Sequence, residues 1–403
     1  MTRDNSITEA AIAAGRNVVK AGGTVVAIVV ATVLAGSWAC EKAPVAVGPL
    51  KIESGTTPSF PDRIVYVSDE QTFPLRQIYI IRSDGSQRTR ITHDLNDYIH
   101  PIFSPDGATI LAVATTMDSS DAIYSVNADG SNLKNLSNSR GDDNFASYSP
   151  DGSKIVFVST RDGNSEIYIM DSDGANQTRL TESGRIDHAP QFTPDGLKIL
   201  YCSTDDNSAG IGSYDFDLYV MNRDGSGKIC LTEEQSCHIY PPFAGKGRLS
   251  EYIRLKPSIS SDGARILFSS YDWRTDNNRV LLMDADGANC RLVAATDFMV
   301  APVFAPGNSR IVFMSHRAGK YDLFEMNLDG TKQTKITSGT PGHVIFSEFS
   351  PDGSTILLST DVGSLMTGSH QTVWTMSRNG SVQTQLTFDG GNSSCPHFQP
   401  LRK

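Results

Sequence analysis

The chain has 403 residues, enough for two or three ordinary domains or one large repeat domain. Its 35 basic and 45 acidic residues leave a net charge of −10, which excludes the broad basic surface that nucleic acid or anionic lipid requires. With 39% hydrophobic and 20% charged residues most of the chain can bury a core, and Gly 34 with Pro 19 is too little for a collagen-like or linker-dominated polymer.

Residues 1–39 predict an export signal or membrane anchor. Arg3, Arg16 and Lys20 flank an uncharged run, Ala21–Ala39, of small and apolar residues that ends before Cys40. Such a run is also long enough to cross a bilayer once. Three outcomes stay open: lipidation at Cys40, cleavage to a soluble form, or an uncleaved N-terminal helix. All place the rest of the chain outside the cytosol, in the periplasm or on the cell surface. Residues 40–61 carry Pro44, Pro49, Pro58 and Pro61 with few large apolar groups, and predict a tether. The cysteines are Cys40, Cys202, Cys230, Cys237, Cys290 and Cys395; none forms a Cys-x-x-Cys pair, which argues against zinc-ribbon chemistry.

From residue 62 to 400 the chain repeats. Asp/Asn-Gly pairs begin at Asp84, Asp129, Asp173, Asp224, Asp286, Asp329 and Asn379, a spacing of about 49 residues that suits propeller blades. Residues 147–181 show one full unit: SYSPDGSKIVFVSTRDGNSEIYIMDSDGANQTRLT. A Ser-Pro-Asp-Gly turn precedes a β-branched run that starts at Ile64, Ile110, Ile155, Ile199, Ile266, Ile311 and Ile356. A second run ends before each Asp/Asn-Gly pair. A short third strand ends in Leu/Ile-Thr or a variant, with its apolar residue at Ile91, Leu136, Leu180, Leu231, Leu292, Ile336 or Leu386. A further strand reads Pro-x-Phe, as at Pro101–Phe103, Pro190–Phe192 and Pro302–Phe304. The turns are hairpin chemistry: Gly accepts positive φ, Asp bonds nearby backbone, and Pro fixes the turn entry.

In the second run, the column Tyr79, Tyr124, Tyr168, Tyr219, Leu281, Phe324, Trp374 and its neighbour Ile78, Ile123, Ile167, Leu218, Val280, Leu323, Val373 are both apolar. Successive strand residues face opposite ways, so both faces of each sheet must be covered. Sheets stacked around an axis meet that demand. The count gives seven blades. The first unit lacks a clear Pro-x-Phe strand and Pro396–Phe398 has no unit after it, so the C-terminal strand is predicted to complete blade one.

The motif SPDGSKIVFVSTRDGNSEIYIMDSDGANQTRLT resembles the repeat of TolB-like bacterial envelope propellers. The resemblance covers about 62–400 and implies an extracytoplasmic binding scaffold, with an envelope protein or a polysaccharide as partner. TolB proteins carry an α/β domain before six blades, a departure from the seven repeats counted here. A second resemblance, to oligogalacturonate lyases, implies a polysaccharide lyase with a His-held metal in the funnel.

The Ser-Pro-Asp-Gly and Asp-Gly turns fall on one face of such a ring. The opposite face receives the variable segments 69–76, 204–216, 234–256, 271–278 and 361–371, where binding is expected. The candidate binding residues are His188, His238, Tyr240, Arg248, Tyr252, Arg254, Trp273, Arg274 and Arg317, since aromatics and arginine anchor interfaces. The histidines His188, His238, His316 and His343 hold different offsets in the repeat, so no metal centre, cofactor or catalytic group is expected. No nucleic-acid partner is expected, and a monomer is.

Overall fold

The computed structural model describes residues 18–21, 24–27, 63–70, 75–117, 120–204, 216–232, 256–272, 277–296, 299–362, 370–388 and 392–400. It divides into Met1–Pro58 and Ser59–Lys403. In the first unit, Val18–Ala21 and Thr24–Ala27 pair as an antiparallel hairpin. Cys40, and most of the predicted leader and tether, lie outside the described residues. Among the described residues, no helix is long and apolar enough to cross a membrane.

The second unit is seven four-stranded antiparallel sheets. Blade three is representative: Asp143–Tyr148 innermost, then Lys154–Ser159, Glu166–Asp171 and the short outer strand Thr178–Arg179. The innermost strands of blades one and two, three and four, five and six, and seven and one touch, as a ring of blades requires. Blade one closes as the sequence predicts. The C-terminal strand Ser393–Phe398 pairs with Arg63–Ser68, setting Ile64 opposite Phe398 and Ser68 opposite Ser393.

The predicted starting runs are the second strands, buried through their length: Ile64, Ile110, Ile155, Ile199 and Ile311 are fully buried, with Ile266 and Ile356 nearly so. The doubly apolar third strand is explained as expected. In the Ile78-to-Val373 column every residue is buried. In the aromatic column, rings pair across strands: Tyr66 with Tyr79 at 5.7 Å, Tyr201 with Tyr219 at 5.5 Å, and Phe313 with Phe324 at 5.8 Å between centroids. Each buried large side chain contributes roughly 1.5–3 kcal/mol.

Turn chemistry is also visible. In the first turn of blade three, Ser149 Oγ donates to Asp151 Oδ1 and accepts from the Lys154 amide at 2.9 Å. Asp151 Oδ1 accepts from the Ser153 amide at 3.0 Å, and these bonds hold its carboxyl well below the usual range. Gly174 in the second turn has φ +89, and a Cβ there would lie 2.9 Å from the Leu136 carbonyl oxygen of the preceding blade. Only glycine fits that approach. At the closing seam no such turn exists. There Gln399 donates from Nε2 to the Gly107 carbonyl at 3.0 Å and accepts from Arg63 Nε at 3.1 Å.

The Leu/Ile-Thr signature has a structural cause. Its hydroxyl accepts the backbone amide of the third strand: Ile78 to Thr92, Ile123 to Ser137, Ile167 to Thr181, Leu218 to Thr232, Leu323 to Thr337 and Val373 to Thr387. Blade five departs from the predicted alignment. Leu292 pairs with Leu281, the register that Arg90 holds against Tyr79 in blade one. The buried slot therefore goes to Val293 and the hydroxyl's place to Ala294, leaving Leu292 53% exposed.

Candidate functional site

The innermost strands line the axis with one edge free, which is why proline is tolerated there. Five of them bend at a bulge whose central residue has positive φ: His100, Phe145, Ala189, Ala301 and Cys395. Four of these directly precede the proline of the Pro-x-Phe motif. The bulge swings the start of each strand around the axis and aims its first residues toward the variable face.

Among the candidates, His188 and Arg317 lie within the described residues. His188 is wedged between Phe145 and Phe216, with ring centroids at 5.8 and 5.7 Å. Its Nδ1 has no hydrogen-bond partner, and burial lowers its pKa to about 4, so the imidazole is neutral. Beside it, burial raises Asp187 to about 6, with Glu166 adding to the shift and the Ser203 and Thr181 hydroxyls opposing it. Arg317 folds back on its own blade. It lies 4.6 Å from the Phe324 ring centre and donates to Ser315 Oγ at 3.0 Å and Gln333 Oε1 at 2.7 Å. Arg161 repeats this arrangement in blade three, over Tyr168 and bonded to Ser159 and Gln177. The arginine therefore locks a loop to its sheet in both blades. His238, Tyr240, Arg248, Tyr252, Arg254, Trp273 and Arg274 lie outside the described residues.

Two further clusters were not visible in the sequence. Between the innermost strands of blades seven and one, Glu348 Oε1 lies 3.4 Å from His397 Nε2. Burial raises Glu348 to about 8 and lowers His397 to about 4, so the pair carries one proton and no net charge at neutral pH. In blades six and seven, His316 and His343 stack at 5.7 Å, and His343 Nδ1 accepts the Tyr321 amide at 3.1 Å.

The variable face also exposes large apolar side chains: Leu95 at 66% and Phe388 at 70%, on loops entering blades two and one, and Met117 at 81% on a loop of blade two. Nothing in their spacing marks them, because they sit outside the repeat frame.

The architecture defines a closed seven-bladed propeller with one regular and one variable face. Its residues 53–249 and 213–403 match the family described as the TolB beta propeller domain, and the chain belongs to that family. Among solved structures it is similar to TolB from Acinetobacter baumannii, at 19% identity over 85% of this chain and 67% of that one, with a TM-score of 0.49. It is similar in fold to an oligogalacturonate lyase in complex with manganese, at 12% identity, 74% and 83% coverage, and a TM-score of 0.58. The propeller domain of the Trilobed protease from Pyrococcus furiosus, described as having an open velcro topology, matches at 14% identity, 81% and 95% coverage, and a TM-score of 0.57. This chain instead pairs its ends.

Proposed function

We propose that the protein is a non-catalytic binding scaffold of the bacterial envelope that recognises a protein or polysaccharide through its variable-loop face. The asymmetry of the two faces carries this reading. On one face the Ser-Pro-Asp-Gly and Asp-Gly turns satisfy their own polar groups. On the other, Leu95, Met117 and Phe388 stand exposed on loops that differ from blade to blade, whereas the exposed Leu197 and Val382 of the first face belong to its repeated turns. Exposed large apolar groups on a stable platform favour contact with a partner. In this reading the segment before residue 62 delivers the ring outside the cytosol and tethers it, through a lipid on Cys40 or an N-terminal anchor, and one copy suffices for binding.

The lyase reading has weaker support. Among the described residues, no group of three or more His, Cys, Asp or Glu is arranged to hold a metal ion. His188 lies between two aromatic rings, away from the stacked His316 and His343. The residues described do not fit a manganese centre.

Photo-crosslinking in the native envelope tests the proposal. A photoreactive residue at Met117 or Phe388 is expected to yield defined adducts, and one at Asp129 or Asp224 on the turn face is not. Adducts at equal yield from both faces, or from neither, would overturn it. Release of unsaturated sugar from pectate with added manganese would favour the lyase.

A further inference from the structure

Blade six breaks the repeat at one position of its third strand, Asp322–Asn327. Two residues after the Ile78-to-Val373 column, the other blades carry Ile80, Ser125, Ile169, Val220, Leu282 and Thr375, all uncharged and all but Ser125 buried. Blade six carries Glu325 there. Leu323 packs against Ile356 and Met376 of blade seven, and alternate residues of a strand share a face, so Glu325 faces the same seam. A carboxylate does not fill that seam as an aliphatic side chain does, and a cavity of about 420 Å³ opens beside it, a size that suits a small molecule. Arg310, Glu325 and Ile336 of blade six line it with Ser354, Arg378 and Asn379 of blade seven, at the turn end of the seam. Ile336 is only half-buried, whereas its counterparts Ile91, Leu136, Leu180, Leu231 and Leu386 are buried.

Two guanidiniums meet one carboxylate here, which leaves a single positive charge. Arg310 is committed: its Nε lies 2.8 Å from Glu325 Oε2, and its Nη1 donates to Asn327 Oδ1 at 3.3 Å. Arg378 is not. Its Nη2 lies 3.7 Å from Glu325 Oε1, beyond a hydrogen bond, and among the described residues its guanidinium donates to no acceptor. Its backbone is nevertheless fixed, with the Arg378 amide donating to the Ser354 carbonyl at 2.9 Å. Beside it, Asn379 Oδ1 is held by the Ser381 amide at 3.1 Å, which leaves the Nδ2 donor for another partner.

We propose that this cavity binds a monocarboxylate with a small apolar body, the carboxylate pairing with Arg378 and the body resting on Ile336. A guanidinium offers paired N–H donors that match a carboxylate. The excess of one charge suits a monoanion, because the second charge of a phosphate would face Glu325. Such a group is either a free acid or the C-terminal end of a peptide. The site lies apart from the variable loops and stands independently of the reading above.

Titration of the full chain with N-acetylleucine, followed by ligand-observed NMR, tests this against N-acetylleucinamide as the uncharged control. The acid is expected to bind, and the amide about tenfold more weakly or worse. Arg378→Gln is expected to weaken the acid by about tenfold or more, with Arg378→Lys in between and the melting midpoint unchanged in both. Inorganic phosphate is expected not to displace the acid from the parent and to displace it from Glu325→Gln, where the repulsion is gone. An N-acetylated tripeptide ending in leucine that binds as tightly as N-acetylleucine assigns the ligand to a chain end, and one that is excluded assigns it to a free acid. No binding of the acid, equal binding of the amide, binding unchanged in Arg378→Gln, or phosphate displacing the acid equally from the parent would overturn the proposal.

Discussion

Thr181 accepts the amide of Ile167 at 2.8 Å in a fully buried setting, and its counterparts do the same in five other blades. Thr181→Val keeps the shape and removes the acceptor. The stranded amide is expected to cost about 1–3 kcal/mol, read as a lower urea midpoint with an unchanged slope. His188 makes a second prediction. Burial holds its pKa near 4 in the fold against an ordinary 6.5. Stability from the neutral ring is therefore complete above pH 6.5 and is lost as pH falls toward 4, by up to about 3 kcal/mol. His188→Phe is expected to flatten that acid limb, measured as unfolding free energy against pH. If the variant loses stability in acid as steeply as the parent, His188 is not the group responsible. The sequence marked His188 and Arg317 as binding candidates by residue type alone. Type does not reveal that Phe145 and Phe216 flank one, or that Phe324 and Gln333 occupy the other.

At the scale of the strand, periodicity was informative where each position repeats in every blade. The starting runs, the doubly apolar third strands and the terminal Pro396–Phe398 strand all read correctly, because burial on both faces leaves a strong pattern. Leu292 misled because the signature had drifted by one residue, and only the backbone register places Val293 in its slot. The bulges were silent for another reason: they depend on φ, and Phe145 adopts the same turn as His100 without a following proline. The closing strand carries its own prediction. Deleting residues 392–403 removes the buried Phe398 and the Gln399 bonds and leaves Ile64 and Tyr66 without their inner cover. The melting midpoint is expected to fall by about 10 °C or more in calorimetry, and an unchanged midpoint would mean that closure does not depend on this strand.

For the molecule as a whole, closure fixes everything else, since a ring whose first and last strands share one blade holds its variable loops on one face at fixed spacing. Ser68 and Ser393 meet across the closing seam with their Oγ atoms 3.0 Å apart, both buried, although 325 positions separate them in sequence. Changing both to cysteine places two thiols at disulfide reach with little change in volume. Under mild oxidation the ring should form this bond nearly quantitatively, detected by mass spectrometry of the non-reduced digest. In the chain-entropy picture so long a loop adds about 6 kcal/mol of stability. If the two thiols remain free in folded, oxidised protein, the ends are not paired in one blade and the closed seven-bladed ring is wrong.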